Sequence, residues 1–247
     1  MKKNITYFVI NKLFVKTFCL LSFIFIGTQT NAQVNTYNLQ QLQITPVYTG
    51  LSASSTLLFA TSGSIDSGVS TVAMPFTFAF NGSGYSSINI SLNGFVTFGT
   101  APAANEVTPI SSTAGYFGAI SPFGCDLDLV TANASLANVK YEVVGSAPNR
   151  IFKIQWGVKR SNNLGTAVAS DPSAINFQLW LYETTNVIEM HYNTYTTSST
   201  FLSNPQVGLR GASNTDFVNL YQASLAHWPG VAPAPTSPAN FPFGTLN

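Results

Sequence analysis

Two aspartates in the stretch "CDLDL", Asp126 and Asp128, stand two residues apart. On a strand that spacing points both carboxylates the same way. Paired like charges attract a cation, and calcium is the ion that oxygen ligands of this kind take. The bland alternative is a pair of solvated carboxylates at a strand end. No EF-hand pattern and no third acidic residue lies nearby. A second group sits in "FQLWLYETTNVIEMHYN". Gln178, Trp180 and Tyr182 alternate on one side, and Glu189, His191 and Asn193 alternate after the turn. Aromatic planes rimmed by hydrogen-bonding groups suit sugars, whose C–H faces stack on rings. The same patch can instead be covered by another segment, because Trp is well buried on average.

Catalytic sets are thin. Serine hydrolysis needs a nucleophile, a base and an orienting group, yet G-x-S-x-G is absent and the two histidines are His191 and His227. Those two with Cys125 make a weak zinc set. A glycosidase needs two carboxylates about 5–9 Å apart. One sandwich family carries E-x-D-x-x-E on a strand. Here Asp126 and Asp128 are followed by Leu129, Val130 and Thr131, which breaks that pattern, and Glu183 and Glu189 fall on opposite faces by parity. The chain is therefore expected not to be an enzyme. Lys159 and Arg160 could hold an anion, but such pairs mostly solvate a loop.

The chain opens with Lys2, Lys3, Lys12 and Lys16, then an apolar run from Phe18 to Ile26, then Ala32 before Gln33. That order describes a secretory leader over residues 1–32. The apolar run is too short for a stable membrane anchor. Cys19 lies within it, without the small preceding residue that lipid attachment wants. Removing 32 of 247 residues leaves 215, one module from residue 33 to 247. The leader removes four of the ten basic residues, so six oppose nine acidic ones, a net charge of −3. A weakly acidic chain without basic runs argues against nucleic acid as a partner. Charged residues are only 8% of the chain, against about 25% in ordinary domains, so electrostatic steering of a partner is not expected. Cys125 would be the one cysteine left, a small buried hydrophobe or an intermolecular thiol.

The elements that must position these residues are strands. Apolar residues recur with period two: Phe76, Phe78 and Phe80 in "PFTFAF", and Ile175, Phe177, Leu179 and Leu181 in "INFQLWL". Alternation buries one face. Parity sets Phe177, Leu179 and Leu181 beside Ile188, Met190 and Tyr192 in the 175–194 hairpin, with a slip of two leaving the faces unchanged. A further hairpin joins "VKYEVV" to "RIFKIQW". In "ISLNGFVTFG", Asn93 and Gly94 bracket a structural turn. A three-residue loop Asn93–Phe95 keeps one face apolar, setting Leu92 against Val96 and Ile90 against Phe98. A nucleotide cradle is excluded, because the spacing is not G-x-G-x-x-G and no helix follows. About ten to twelve strands fit an all-β, antiparallel two-sheet β-sandwich, with a jelly roll among the suitable topologies. Gly157 to Ala174 reads as a polar loop, and residues 229–247 as a Pro-rich extended segment.

Several stretches occur in order: "FTFAFNGSGYSSINISLNGFVTFG", "TPISSTAGYFGAISPFGCDLD", "VKYEVVGSAPNRIFKIQW", "FQLWLYETTNVIEMHY" and "PQVGLRGASNTDFVNL". Together, from about Tyr37 to Phe243, they resemble a module near the start of large secreted proteins of the Bacteroidetes type. Those often continue into fibronectin type III or Ig-like modules and a type IX secretion sorting domain. "SLNGFVTFG" is also similar to a stretch in nidogen-like extracellular domains. The resemblance implies a non-catalytic secreted or cell-surface β-sandwich with an adhesive or spacing role. It implies an envelope or extracellular polymer as partner, with neighbouring β-modules where the chain continues. Related modules close with another strand after a segment like "FPFGTLN", a strand this chain is expected to lack. Carbohydrate binding through the Trp180 face is the alternative, and a glycoside hydrolase the remaining one.

Overall fold

The structure is a computed structural model. It describes residues 34–37, 48–60, 65–129, 138–160, 175–193, 205–222 and 240–243. Among the described residues, a 3-10 turn at Val34–Thr36 is followed by thirteen strands. They are β1 (Thr56–Ala60), β2 (Val69–Phe80), β3 (Ser83–Ser91), β4 (Phe95–Phe98), β5 (Gly118–Gly124), β6 (Leu127–Asp128) and β7 (Asn138–Val144). β8 (Ile151–Arg160), β9 (Ile175–Tyr182), β10 (Ile188–Tyr192), β11 (Gln206–Arg210), β12 (Phe217–Gln222) and β13 (Asn240–Phe243) complete the set.

One sheet has the order β1-β7-β8-β9-β10, with β6 on the far end of β8; the other runs β13-β12-β11-β5-β4-β3-β2. All pairings are antiparallel except β12 with β13. This is the expected two-sheet sandwich. Its connectivity is two meanders, β2–β5 and β7–β10, each kept within one sheet, which differs from the sheet-to-sheet alternation of a jelly roll. The two-residue β6 and the tail strand β13 carry the count just above expectation. β13 lies within the segment read as Pro-rich and extended; most of that segment, with His227, is outside the described residues. No helix among them is long and apolar enough to cross a membrane.

Alternation builds the core. Along β2, Val72, Met74, Phe76, Phe78 and Phe80 are buried while Thr71, Ala73, Pro75, Thr77 and Ala79 are exposed. Pro75 lacks an N–H to donate, so it belongs on an edge strand, and β2 is one in this sheet order. The β2–β3 register breaks between Ala73 and Phe78, around that proline. Aromatic contacts join the sheets: the Phe123 ring of β5 lies 5.6 Å from Phe177 of β9. Buried Trp156 donates its Nε1–H to Ser91 O at 2.8 Å, and Tyr192 donates its hydroxyl to Pro122 O at 2.7 Å. Cys125 sits in this core, 3% exposed.

Candidate functional site

The Asn93-Gly94 pair is a turn within a sheet. Its register differs from expectation by two residues: Ile90 pairs Val96 and Ser91 pairs Phe95, so the loop is Leu92–Gly94. Period two cannot tell these registers apart, since both keep the same faces inward. Side-chain bonding of Asn93 decides. Its Oδ1 accepts Leu127 N–H at 3.0 Å, and its Nδ2 donates to Glu106 O at 3.0 Å. Gly94 has φ 79°, and a Cβ there would lie 2.3 Å from Phe123 O. The turn is filled by its own protein, which leaves no room for a ligand.

The outer face of the β1–β10 sheet carries the aromatic candidates. Register places Lys140, Gln155, Gln178 and His191 in one row across β7 to β10. The adjacent row is Glu142, Lys153, Trp180 and Glu189. Trp180 donates Nε1–H to Gln178 Oε1 at 2.7 Å. Lys153 Nζ stands 3.6 Å from the centre of the Trp180 ring, and the His191 ring stacks on it at 4.1 Å. Two groups so near one centroid would overlap on one face, so each ring face has an occupant. Glu189 Oε2 accepts the Tyr182 hydroxyl at 2.8 Å and contacts His191 Nε2 at 2.8 Å. Partial burial, then the Glu189 hydrogen bond and charge, push the Tyr182 phenol above its ordinary value.

Five of the six expected residues therefore meet in one cluster: Gln178, Trp180, Tyr182, Glu189 and His191. Asn193 lies one row away, its backbone N–H donating to Asn176 O at 3.0 Å. Gln178 is no surface group, being 1% exposed. A strap at residues 48–52 lies over it. Gln178 Nε2 donates to Thr49 O and to Gln155 Oε1, each at 2.9 Å, and Gln155 Oε1 also accepts Leu51 N–H at 2.9 Å. Ser52 reaches Glu142 Oε2 through its backbone N–H at 3.0 Å and its hydroxyl at 2.5 Å. Lys153, Gln155 and Glu142 were not anticipated; alternation in "RIFKIQW" already puts the first two on this face.

The two aspartates are not side by side on a strand. Asp126 precedes β6 and is partly exposed, while Asp128 lies within it at 1% exposure. β8 extends through Arg160, so Lys159 is a strand residue and not a loop residue. It is 6% exposed and is the in-register neighbour of Asp128. Among the described residues, no three of His, Cys, Asp and Glu gather into a metal-sized group.

A cluster on the other sheet escaped the sequence reading. Arg210, 1% exposed, donates Nη2–H to Ala114 O at 2.7 Å and lies 4.1 Å over the Tyr116 ring. Tyr116 donates its hydroxyl to Pro109 O. Glu106 caps the same loop, accepting Thr108 N–H at 2.8 Å and the Ser112 hydroxyl at 2.5 Å. These contacts fasten the loop between β4 and β5 to the outer face of its sheet. They make a structural clamp.

Comparison with known proteins adds one positive finding. The family model described as NIDO related matches residues 36–240. No curated protein and no solved structure matches the chain. The matched span holds every described strand up to the first residue of β13, and it points to a module of extracellular type. On that match, the chain belongs to the NIDO-related family.

Proposed function

We propose that the chain is a non-catalytic module, exported by the leader over residues 1–32, with a structural or adhesive role on an envelope or extracellular polymer. One observation carries this reading: the polar groups of the outer-face cluster are bonded to one another. Glu189 Oε2 holds both Tyr182 and His191, and Gln178 serves Thr49, Gln155 and Trp180. A general base needs a lone pair open toward substrate. Groups committed to each other make a rigid contact surface instead, with little ordering cost on binding. The test is retention of envelope material on the immobilised folded chain, with a hydrolase panel run in parallel. Retention without turnover is expected. Turnover that Glu189→Gln or Asp128→Asn abolishes would overturn the reading.

Carbohydrate is a second reading, favoured by a feature of Trp180. One ring face is covered by the Lys153 ammonium, whose flexible four-carbon stem can swing away and open a flat apolar surface. Trp180→Ala should then abolish retention on a glycan while far-UV circular dichroism stays unchanged. Unchanged retention rejects this reading and leaves the first intact.

A further inference from the structure

Along the row Glu142, Lys153, Trp180 and Glu189, the polar groups differ in what they hold. Glu142 Oε2 is turned to the strap, where it accepts the Ser52 N–H at 3.0 Å. Glu189 Oε2 accepts the Tyr182 hydroxyl and contacts His191 Nε2. The Trp180 indole N–H is spent on Gln178 Oε1. In the next row, Gln155 and Gln178 bond each other and the strap, and Lys140 Nζ donates to Leu51 O at 3.3 Å. Lys153 is the exception. Its ammonium rests on the Trp180 ring, 3.6 Å from the centroid, and neither ion pair among the described residues includes it. Glu142 is its in-register neighbour, yet the two make no ion pair.

The ammonium is thus a cover held by a weak bond. A ring face attracts it through the ring quadrupole, and at a half-exposed site water competes for the charge. A carboxylate brings a full opposite charge and a charge-assisted hydrogen bond, which is the stronger attraction. Lys153 and Trp180 are both partly exposed, so both can be reached from solvent. An incoming carboxylate therefore draws the lysine head off the ring while its stem stays on β8. One apolar ring face is then bare, and His191 keeps the other. A neutral sugar must strip the ammonium from the ring and give it nothing in return.

With His191 neutral, the two rows carry no net charge, since Lys140 and Lys153 balance Glu142 and Glu189. Selection is therefore made at contact and not by a long-range field. In a uronic acid the carboxylate is bonded to the sugar ring beside its C–H face, so one residue supplies both groups. We propose that the Trp180 face takes an acidic glycan: a uronate carboxylate pairs with Lys153, and the C–H face of the same sugar stacks on the ring that Lys153 leaves. The proposal rests on the carbohydrate reading above and names its ligand class.

The folded chain is titrated by calorimetry with polygalacturonate and with alginate, each beside its carboxyl-esterified form, which keeps the backbone and removes the charge. The wild type should bind at least one acid form about tenfold or more tighter than its ester. Lys153→Gln should bring acid and ester within about twofold of each other, and Lys153→Arg should keep the preference. Far-UV circular dichroism checks the fold of each variant; if Lys153→Gln does not fold, the wild-type ratio of acid to ester decides alone. Equal binding of acid and ester by the wild type, or a preference that survives in Lys153→Gln, overturns the acidic assignment and leaves the carbohydrate reading standing. Binding of none of these polymers also overturns the assignment, and the Trp180→Ala retention test then judges the carbohydrate reading by itself.

Discussion

Replacing Gly94 with alanine tests whether the Asn93-Gly94 pair is a turn filled by protein. Gly94 has φ 79°, where a side chain costs about 1–2 kcal/mol. The added Cβ would lie 2.3 Å from Phe123 O and 2.9 Å from Leu127 Cδ1. The first contact is backbone and cannot rotate away, so the end of β5 must shift. That shift strains the Phe123 N–H bond to Gly94 O at 3.1 Å and the Cys125 N–H bond to Asn93 O at 3.2 Å. Each is worth about 0.5–1.5 kcal/mol. The combined loss is about 3 kcal/mol, or roughly 6–12 °C in thermal midpoint for a chain of this size. Gly115→Ala is the control, because a Cβ there meets nothing within 4 Å; its effect should stay within about 0.5 kcal/mol. Calorimetry on both variants, with urea unfolding as a check, measures the difference. Equal midpoints for the two variants would mean that the turn tolerates a Cβ at Gly94 and is not filled by β5.

Three further outcomes are expected. Trp156→Phe leaves Ser91 O buried without its indole donor, costing about 1–3 kcal/mol in urea unfolding, before any cavity cost. Gln155→Leu removes the acceptor of Leu51 N–H. Amide exchange at Leu51 should then quicken by more than tenfold, reporting release of the strap, while the core amides hold. At Glu106, burial works to raise the carboxyl, but hydrogen bonds from Ser112, Thr108 and Val107 outweigh it and hold it below its ordinary 4.5. A depressed carboxyl contributes stability above the unfolded value and loses it as pH falls through the folded one. The thermal midpoint should therefore drop more steeply below pH 4.5 in the wild type than in Glu106→Gln.

The strand faces were readable because burial follows period two. Phe177, Leu179 and Leu181 meet Tyr192, Met190 and Ile188 as parity required. Register at Gly94 was not readable, since a shift by two preserves both faces; the bonds of Asn93 to residues 106 and 127 select it. Five cluster residues followed from the same alternation. The burial of Gln178 did not, because its cover comes from Thr49, 129 residues earlier in the chain. Arg210 was hidden for a related reason. Alternation in "QVGLR" turns it away from the core, and only the folded loop carrying Pro109, Ala114 and Tyr116 buries it.

The function proposed above is that of a self-bonded outer face that holds a polymer without cutting it. Nitrogen-15-labelled chain titrated with solubilised envelope polymer tests it, with indole resonances and polymer length followed together. The Trp180 indole signal should move, the buried Trp156 signal should stay, and the polymer should keep its length. A still Trp180 signal during binding, or a shortening polymer, would contradict it.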